Sequence, residues 1–167
     1  MKKKIIIGII LVAVITTIFV LLSCSKHEIG LDDLYKNKIS SYLEVGDYTI
    51  DEYEEHVSVV TYNGSDEEVK IPEQLNGKPV YTIEDSAFYG NLNVKKIVIP
   101  KHVIRVGHQA FIGCLELKEI TIPDSMLDFG EHALDNCPKL EKIYVDKDSD
   151  IGKKLSEYGY KELINDK

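Results

Sequence analysis

Asp146, Asp148, Asp150 and Glu157 fall at positions 1, 3, 5 and 12 of the ligand spacing used by helix–loop–helix calcium sites. Hard oxygen ligands at that spacing would wrap one Ca2+. The sharp turn inside such a loop needs glycine at position 6, but Ile151 stands there and Gly152 comes one residue late. A strand-like stretch precedes the loop where a helix would be needed. The plainer reading is a solvated turn in which Ser149 or Asp150 caps a short helix. No cofactor is therefore expected, and the four acids remain a calcium candidate by spacing alone. Cys114 and Cys137 have no histidine or acid at zinc-site spacing. His27, His56, His102, His108 and His132 form no H-E-x-x-H pair and flank no nucleophile motif, and no glycine-rich phosphate loop occurs. With no acid, base and nucleophile set in view, an enzyme is not expected.

The elements that would position these side chains are written in a repeat. Ala87, Ala110 and Ala133 recur at intervals of 23 residues. Phe88, Phe111 and Leu134 follow them. Val94, Leu117 and Leu140 align, as do Ile97, Ile120 and Ile143, then Ile99, Ile122 and Val145. Val80, Val103 and Met126 keep the same register, as do Ile83, Val106 and Phe129. Aliphatics at fixed offsets in a period of about 20–29 residues predict a solenoid, because one unit cannot bury its own apolar face and stacked units can. Three to four units are expected, each giving one strand: Lys95–Ile99, Lys118–Ile122 and Glu141–Val145, with Val69–Pro72 as an earlier one. Cys114 and Cys137 then sit on adjacent rungs. About 5 Å between their Cα atoms would permit a disulfide, which an exported protein could form. Asn91 holds the equivalent place one unit earlier, so the position needs no bridge, and buried free thiols are the expectation, with the disulfide as the alternative.

The step Ala110-Phe111-x-Gly113-Cys114, the strand Leu117-x-x-Ile120-x-Ile122-Pro123 and the lead-in Asn76 to Phe88 resemble the BspA-like class of leucine-rich repeats found in bacterial surface proteins. The resemblance covers roughly residues 48 to 146. It implies a mainly β repeat fold and a role in adhesion or surface interaction. The last unit departs from the pattern, with Leu134 in place of phenylalanine and Asp146 in place of proline, which suits a terminal unit. Residues 47–72 read as an N-terminal β cap whose strands turn at Asn63-Gly64-Ser65. Residues 73–146 carry the repeats. The first unit is longer, its extra residues reading as a turn at Asn76-Gly77-Lys78-Pro79. Residues 147–167 read as a C-terminal helical cap, with Gly159 as the stop.

Ahead of the repeats, Lys2 to Lys4 precede an uncharged run from Ile5 to Leu22. Leu21-Leu22-Ser23-Cys24 resembles the lipobox of bacterial lipoproteins. That resemblance implies a signal peptide over 1–23, acylation of Cys24 and anchoring in a membrane. An uncleaved membrane helix is the alternative, and both readings place the rest of the chain outside the cytoplasm. Residues 24–46 read as a lipid-anchored tether in which Leu31, Leu34, Tyr35, Ile39 and Leu43 would share one face of a short helix. Without the first 23 residues, 17 basic residues face 28 acidic ones. Such a charge repels phosphate backbones, so nucleic acid is not an expected partner.

Strand alternation sorts the outward residues into columns. Glu68, Lys96, Glu119 and Lys142 alternate in sign and read as a surface ion ladder. Lys70, Val98, Thr121 and Tyr144 form the other column, and Val98, Thr121 and Tyr144 are candidate ligand contacts. Tyr81, Ile104 and Leu127 occupy one repeat position on the opposite side and form a second candidate row. The expected function is binding of a protein or surface glycoconjugate at the cell surface. The alternatives are a structural subunit of an envelope complex, a calcium-dependent module or an enzyme.

Overall fold

The computed structural model describes residues 29–166. The segment read as a signal peptide and Cys24 lie outside the described residues. Residues 1–30 and 31–167 form separate units, and the fold described is that of the second. It holds twelve strands: β1 (Lys38–Val45), β2 (Tyr48–Tyr53), β3 (Val57–Tyr62), β4 (Glu68–Lys70), β5 (Gln74–Leu75), β6 (Lys78–Ile83), β7 (Lys96–Val98), β8 (Arg105–Val106), β9 (Glu119–Thr121), β10 (Asp128–Phe129), β11 (Lys142–Tyr144) and β12 (Ile164–Asn165). One helix, α1 (Asp150–Leu155), follows β11.

From β6 onward the chain alternates between two sheets. The first sheet runs β1-β2-β3-β6-β8-β10, with β5 paired to β6; the second runs β12-β11-β9-β7-β4. Each 23-residue unit thus gives one short strand to each sheet. Pairing along both rows is parallel and in repeat register, Ile97 to Ile120 to Ile143 in one and Ile83 to Val106 in the other. The strands stay short because Pro100 and Pro123, which lack an N–H, close them soon after Val98 and Thr121.

The bends between sheets stack as regularly as the strands. Tyr62 N–H donates to Ala87 O at 2.8 Å, Phe88 N–H to Ala110 O at 2.7 Å, and Phe111 N–H to Ala133 O at 2.9 Å. Ser86, Gln109 and His132 hold the same left-handed conformation at repeat intervals, with φ of 59°, 56° and 58°. Between the sheets lies one apolar core. Phe88, Phe111, Ile97, Ile120, Ile143, Val106 and Phe129 are all nearly or fully buried. The terminal unit that substitutes Leu134 for phenylalanine is the one carrying Phe129 where its predecessors have Ile83 and Val106. An aromatic ring is thereby kept in that layer and the rung's volume is conserved.

Three expectations are corrected. Lys38–Val45 is a strand and not part of a tether; only Leu31–Asp33 forms a 3-10 turn. The apolar residues that matched a helical face serve the strand instead, because Leu43 and Val45 pack against the core while Ile39 and Tyr42 face solvent. Gly46-Asp47 closes the β1–β2 hairpin, with Gly46 at φ +60°. Asn63-Gly64-Ser65 is not a hairpin turn: it lies where the chain crosses from β3 in the first sheet to β4 in the second. The tight turn of that region falls between β2 and β3. The turn expected at Asn76-Gly77 is present, with φ of 50° and 76°, and joins β5 to β6.

At the other end, Ser149 Oγ accepts Gly152 N–H at 3.0 Å and caps α1, and Gly159 (φ 95°) breaks the turn that follows. Ile151 and Leu155 are buried, and Lys154 Nζ reaches Asp128 of β10 at 3.0 Å. A strand not foreseen, β12, then pairs with β11 and extends the second sheet.

Backbone of successive rungs comes close just after β8 and β10, where Gly130 meets Gly107. A Cβ on Gly130 would stand 2.3 Å from Gly107 O and 2.6 Å from His108 N. Both are backbone atoms of the preceding rung and cannot swing aside. Gly130→Ala is expected to lower stability by about 1–3 kcal/mol. In urea unfolding, Gly30→Ala serves as the control, because nothing stands within 4 Å of its Cβ. Equal midpoints for the two variants would contradict this packing.

Candidate functional site

The second sheet's outer face carries both expected columns. Glu68, Lys96, Glu119 and Lys142 stand side by side on β4, β7, β9 and β11. Lys96 Nζ lies 3.2 Å and Lys142 Nζ 3.7 Å from the Glu119 carboxylate. Solvent-screened pairs of this kind add little to stability, but they neutralise the face. Beside them run Lys70, Val98, Thr121 and Tyr144, in the same register and each open to solvent at least in part. β12 adds Asn165 next to Tyr144. The arrangement is a shallow strip with an aliphatic, a hydroxyl and a phenol in a line. Such a strip suits contact with another surface and holds no group set to make or break bonds.

Tyr81, Ile104 and Leu127 are on the first sheet's side. Ile104 N–H donates to Tyr81 O at 2.9 Å and Leu127 N–H to Ile104 O at 2.8 Å, so the row is continuous. Its exposure rises along the row. Tyr81 is covered by the His56 ring, stacked at 5.3 Å, whereas Leu127 is 57% exposed. The two candidate rows therefore belong to different sheets and do not combine into one site.

Asp146, Asp148, Asp150 and Glu157 are not brought together. Asp146 Oδ1 accepts Asp148 N–H at 2.9 Å, Asp146 O takes the Ser149 hydroxyl, and Asp150 extends toward Lys153. Among the described residues, no group of three or more His, Cys, Asp or Glu side chains could hold a metal ion. The loop is a capping turn, which corrects the calcium spacing. Cys114 and Cys137 are free thiols on adjacent rungs.

Two features escaped the sequence reading. Arg105, the chain's single arginine, gathers side chains remote in sequence. It donates to Tyr35 Oη at 2.7 Å and to Asp85 Oδ1 at 3.3 Å, and lies 3.5 Å from Glu84 and 3.8 Å from Asp128. Burial pushes the Glu84 carboxyl up, and Arg105 and Tyr35 offset that only in part. The segment Leu34–Tyr35 crosses the outer face of the first sheet to reach this cluster. Leu34 is fully buried, and its carbonyl lies 2.8 Å from His56 Nε2. The second feature is an exposed apolar ridge on the bends. Leu92 and Leu115 are one repeat apart and 60% and 45% exposed, with Tyr89 beside them at 71%. The repeat alignment would have shown the ridge had the bend residues been read in columns as the strand residues were.

Two parallel ladders fed by a repeat with fixed inward aliphatics define a leucine-rich-repeat fold, mainly β with one short C-terminal helix. Residues 81–161 match the family model described as BspA type leucine rich repeat region (six copies), and that stretch of the chain is a repeat region of this type. Three solved structures are similar. A leucine-rich repeat protein of T. pallidum shares 25% identity, with TM-score 0.59, over 65% of this chain and 52% of its own. A leucine-rich cell surface protein of Faecalibacterium prausnitzii shares 25% identity, with TM-score 0.52, over 64% and 33%. A leucine-rich repeat protein of Bacteroides ovatus shares 26% identity, with TM-score 0.55, over 62% and 29%. The chain thus spans from about half to under a third of the length of these structures. All three are repeat proteins and not members of an enzyme family. Comparison with curated proteins finds no match. Among the described residues, no helix is long and apolar enough to cross a membrane.

His56 gives the site a measurable pH dependence. Burial between Tyr53 (ring centroids 4.6 Å apart) and Tyr81 holds its imidazole below the ordinary 6.5. The unfolded chain then binds a proton that the folded chain refuses. Stability from this group is full above about pH 6.5 and falls as pH drops below it. Melting temperature measured from about pH 7.5 to 5 should decline for wild type. In His56→Phe this component of the slope should be missing. Identical slopes would show that His56 binds its proton equally well in the folded and unfolded chain.

Proposed function

We propose that this protein is an extracytoplasmic lipoprotein whose repeats form a small solenoid that binds a protein or a surface glycoconjugate. In this reading residues 1–23 are a signal peptide and Cys24 is acylated. The tether is shorter than 24–46, since β1 already belongs to the folded unit. β1 to β3 cap one end of the solenoid and residues 147–167 the other. Its surface role is adhesion or partner capture, in keeping with one structural relative being a cell surface protein.

The observation that carries the binding reading is the row Val98, Thr121 and Tyr144. It lies in strict register on three adjacent parallel strands and is solvent-accessible, beside a charge ladder that is internally neutralised. A neutral strip ending in tyrosine favours contact area over charge steering, which suits recognition of a partner surface. The strip is small, so clustering of many copies on a membrane would raise its effective affinity. A second reading, a structural subunit docking through Tyr81, Ile104 and Leu127, draws on the exposure of Leu127.

Two experiments test these readings. The protein displayed on beads should retain a partner from cell-surface extracts, and Val98→Lys, Thr121→Lys, Tyr144→Lys together should abolish retention. Serine at Tyr81, Ile104 and Leu127 should leave it intact. Loss in the serine variant and retention in the lysine variant would transfer the site to the first sheet. For the anchor, cells fed a clickable fatty acid should label the wild-type chain but not Cys24→Ser. Persistent label in that variant would remove the lipoprotein assignment.

A further inference from the structure

Cys114 and Cys137 occupy one position in successive units, 23 residues apart. Backbone bonds on the neighbouring residues fix their two segments against each other. Phe111 N–H donates to Ala133 O and Gly113 N–H to Asp135 O, each at 2.9 Å. Adjacent rungs held this way lie about 5 Å apart, within the Cα separation that a disulfide spans. The two side chains repeat one orientation, each Sγ lying 3.3 Å from a carbonyl of the preceding unit, Phe88 O for Cys114 and Phe111 O for Cys137.

We propose that Cys114 and Cys137 form an oxidisable pair that a low-molecular-weight disulfide converts into a bridge between the last two full repeats. The pair is asymmetric in the way such a reaction needs. Cys137 is partly open to solvent, whereas Cys114 is fully buried. Hydrogen bonding from Cys114 lowers the Cys137 thiol, helped by backbone N–H groups of Cys114 and Gly113 and opposed by burial. Hydrogen bonding with Cys137 and burial keep Cys114 protonated. Cys137 is thus the attacking sulfur and Cys114 the resolving one.

The steps balance. The Cys137 thiolate attacks one sulfur of RSSR, forms the mixed disulfide and expels RS−. Cys114 loses its proton to the expelled thiolate. Its sulfur then attacks Sγ of Cys137 and displaces the second RS−, which takes up a proton from water. Two protein thiols are oxidised to one disulfide, and one RSSR is reduced to two RSH.

The fold tolerates the loss of both S–H groups. Cys114 Sγ donates to Phe88 O and Cys137 Sγ to Phe111 O, each at 3.3 Å. Those carbonyls keep other donors, Asn91 N–H at 3.1 Å and Cys114 N–H at 3.2 Å. One unit earlier Asn91 fills the same place and donates its amide to Gly64 O at 3.2 Å. Donation alone therefore does not call for sulfur, and bridging is what two successive cysteines add. The extracytoplasmic location proposed above is where such a bridge would persist, although the reaction does not depend on it.

The test uses the full-length chain in detergent with Cys24→Ser, which leaves Cys114 and Cys137 as its only thiols. Oxidised glutathione should remove both titratable thiols from the folded protein. The intact mass should fall by two hydrogens with no glutathione retained, and peptide mapping should join 114 to 137 within one molecule. The melting temperature should rise, and a reductant should reverse all of these changes. With Cys114→Asn added, which repeats the side chain of Asn91 one unit later, the reaction should stop with glutathione on Cys137. Two thiols surviving in the folded protein would overturn the proposal, as would a stable glutathione adduct on an intact pair or a bridge between molecules. The mass measurement on the intact pair decides the matter even if the asparagine variant fails to fold.

Discussion

Every feature of this protein depends on one constraint: a 23-residue unit has an apolar inner row that it cannot bury without a neighbour in the same register. Register is held twice per unit, by the parallel strands and by the bends. The bend ladder runs from Tyr62 to Ala87, Phe88 to Ala110 and Phe111 to Ala133. Alanine holds the bend, and glycine holds the point where Gly130 meets Gly107. A slip of one residue along either ladder would send Ile97, Ile120 and Ile143 to solvent and bring Lys96 and Glu119 into the core. Burial of the core and placement of the surface columns are therefore the same event.

A stack built this way has two unsatisfied ends, and the chain treats them differently. At the N-terminal end the first sheet continues into antiparallel strands, β3, β2 and β1, so the pairing direction reverses and the repeat pattern stops. At the C-terminal end the first sheet is met by α1 through Ile151, Leu155 and the Lys154–Asp128 pair. The second sheet gains β12 instead. Open edges invite pairing with other chains, and the second sheet ends in two short parallel-paired strands, β4 at one edge and β12 at the other.

The repeated part was legible in the sequence because each inward position is stated several times. Ile97, Ile120 and Ile143 vote for the same environment, and the ion ladder follows from them by alternation. The singular parts had no such redundancy. β1 shows apolar residues at spacings that fit a helix as well as a strand, and only its hairpin with β2 decides between them. Ile164-Asn165 is too short to announce itself as a strand and forms one because β11 presents an edge. The Arg105 cluster joins Tyr35, the adjacent Glu84 and Asp85, and Asp128 from three separate places in the chain. Charge pairing across such distances leaves no local pattern, although a single arginine in an acidic chain was a signal that one position mattered. The candidate rows were legible in register but not in cover. That His56 and Leu34 shield the Tyr81 end of one row follows only from the path of residues 31–37.

That unequal cover bears on which surface is free to bind. Residues 34–35 and the Tyr53–His56–Tyr81 stack occupy much of the first sheet's outer face near β3 and β6, and Arg105 ties Tyr35 down. A partner approaching there would have to displace a fully buried Leu34 and its carbonyl contact with His56, which sets a penalty before any new contact forms. Among the described residues, none is bonded across the second sheet's outer face as Leu34 and Tyr35 are across the first. The second sheet's ladder of Lys96, Glu119 and Lys142 is already paired, so a partner docking on this face would gain little from charge. Leu92, Leu115 and Tyr89 are exposed on the bends that lead from the first sheet to the second. Since the same ladders set the spacing of both rows, mutations that alter register would move them together, whereas substitutions confined to one row leave the scaffold and the other row unchanged.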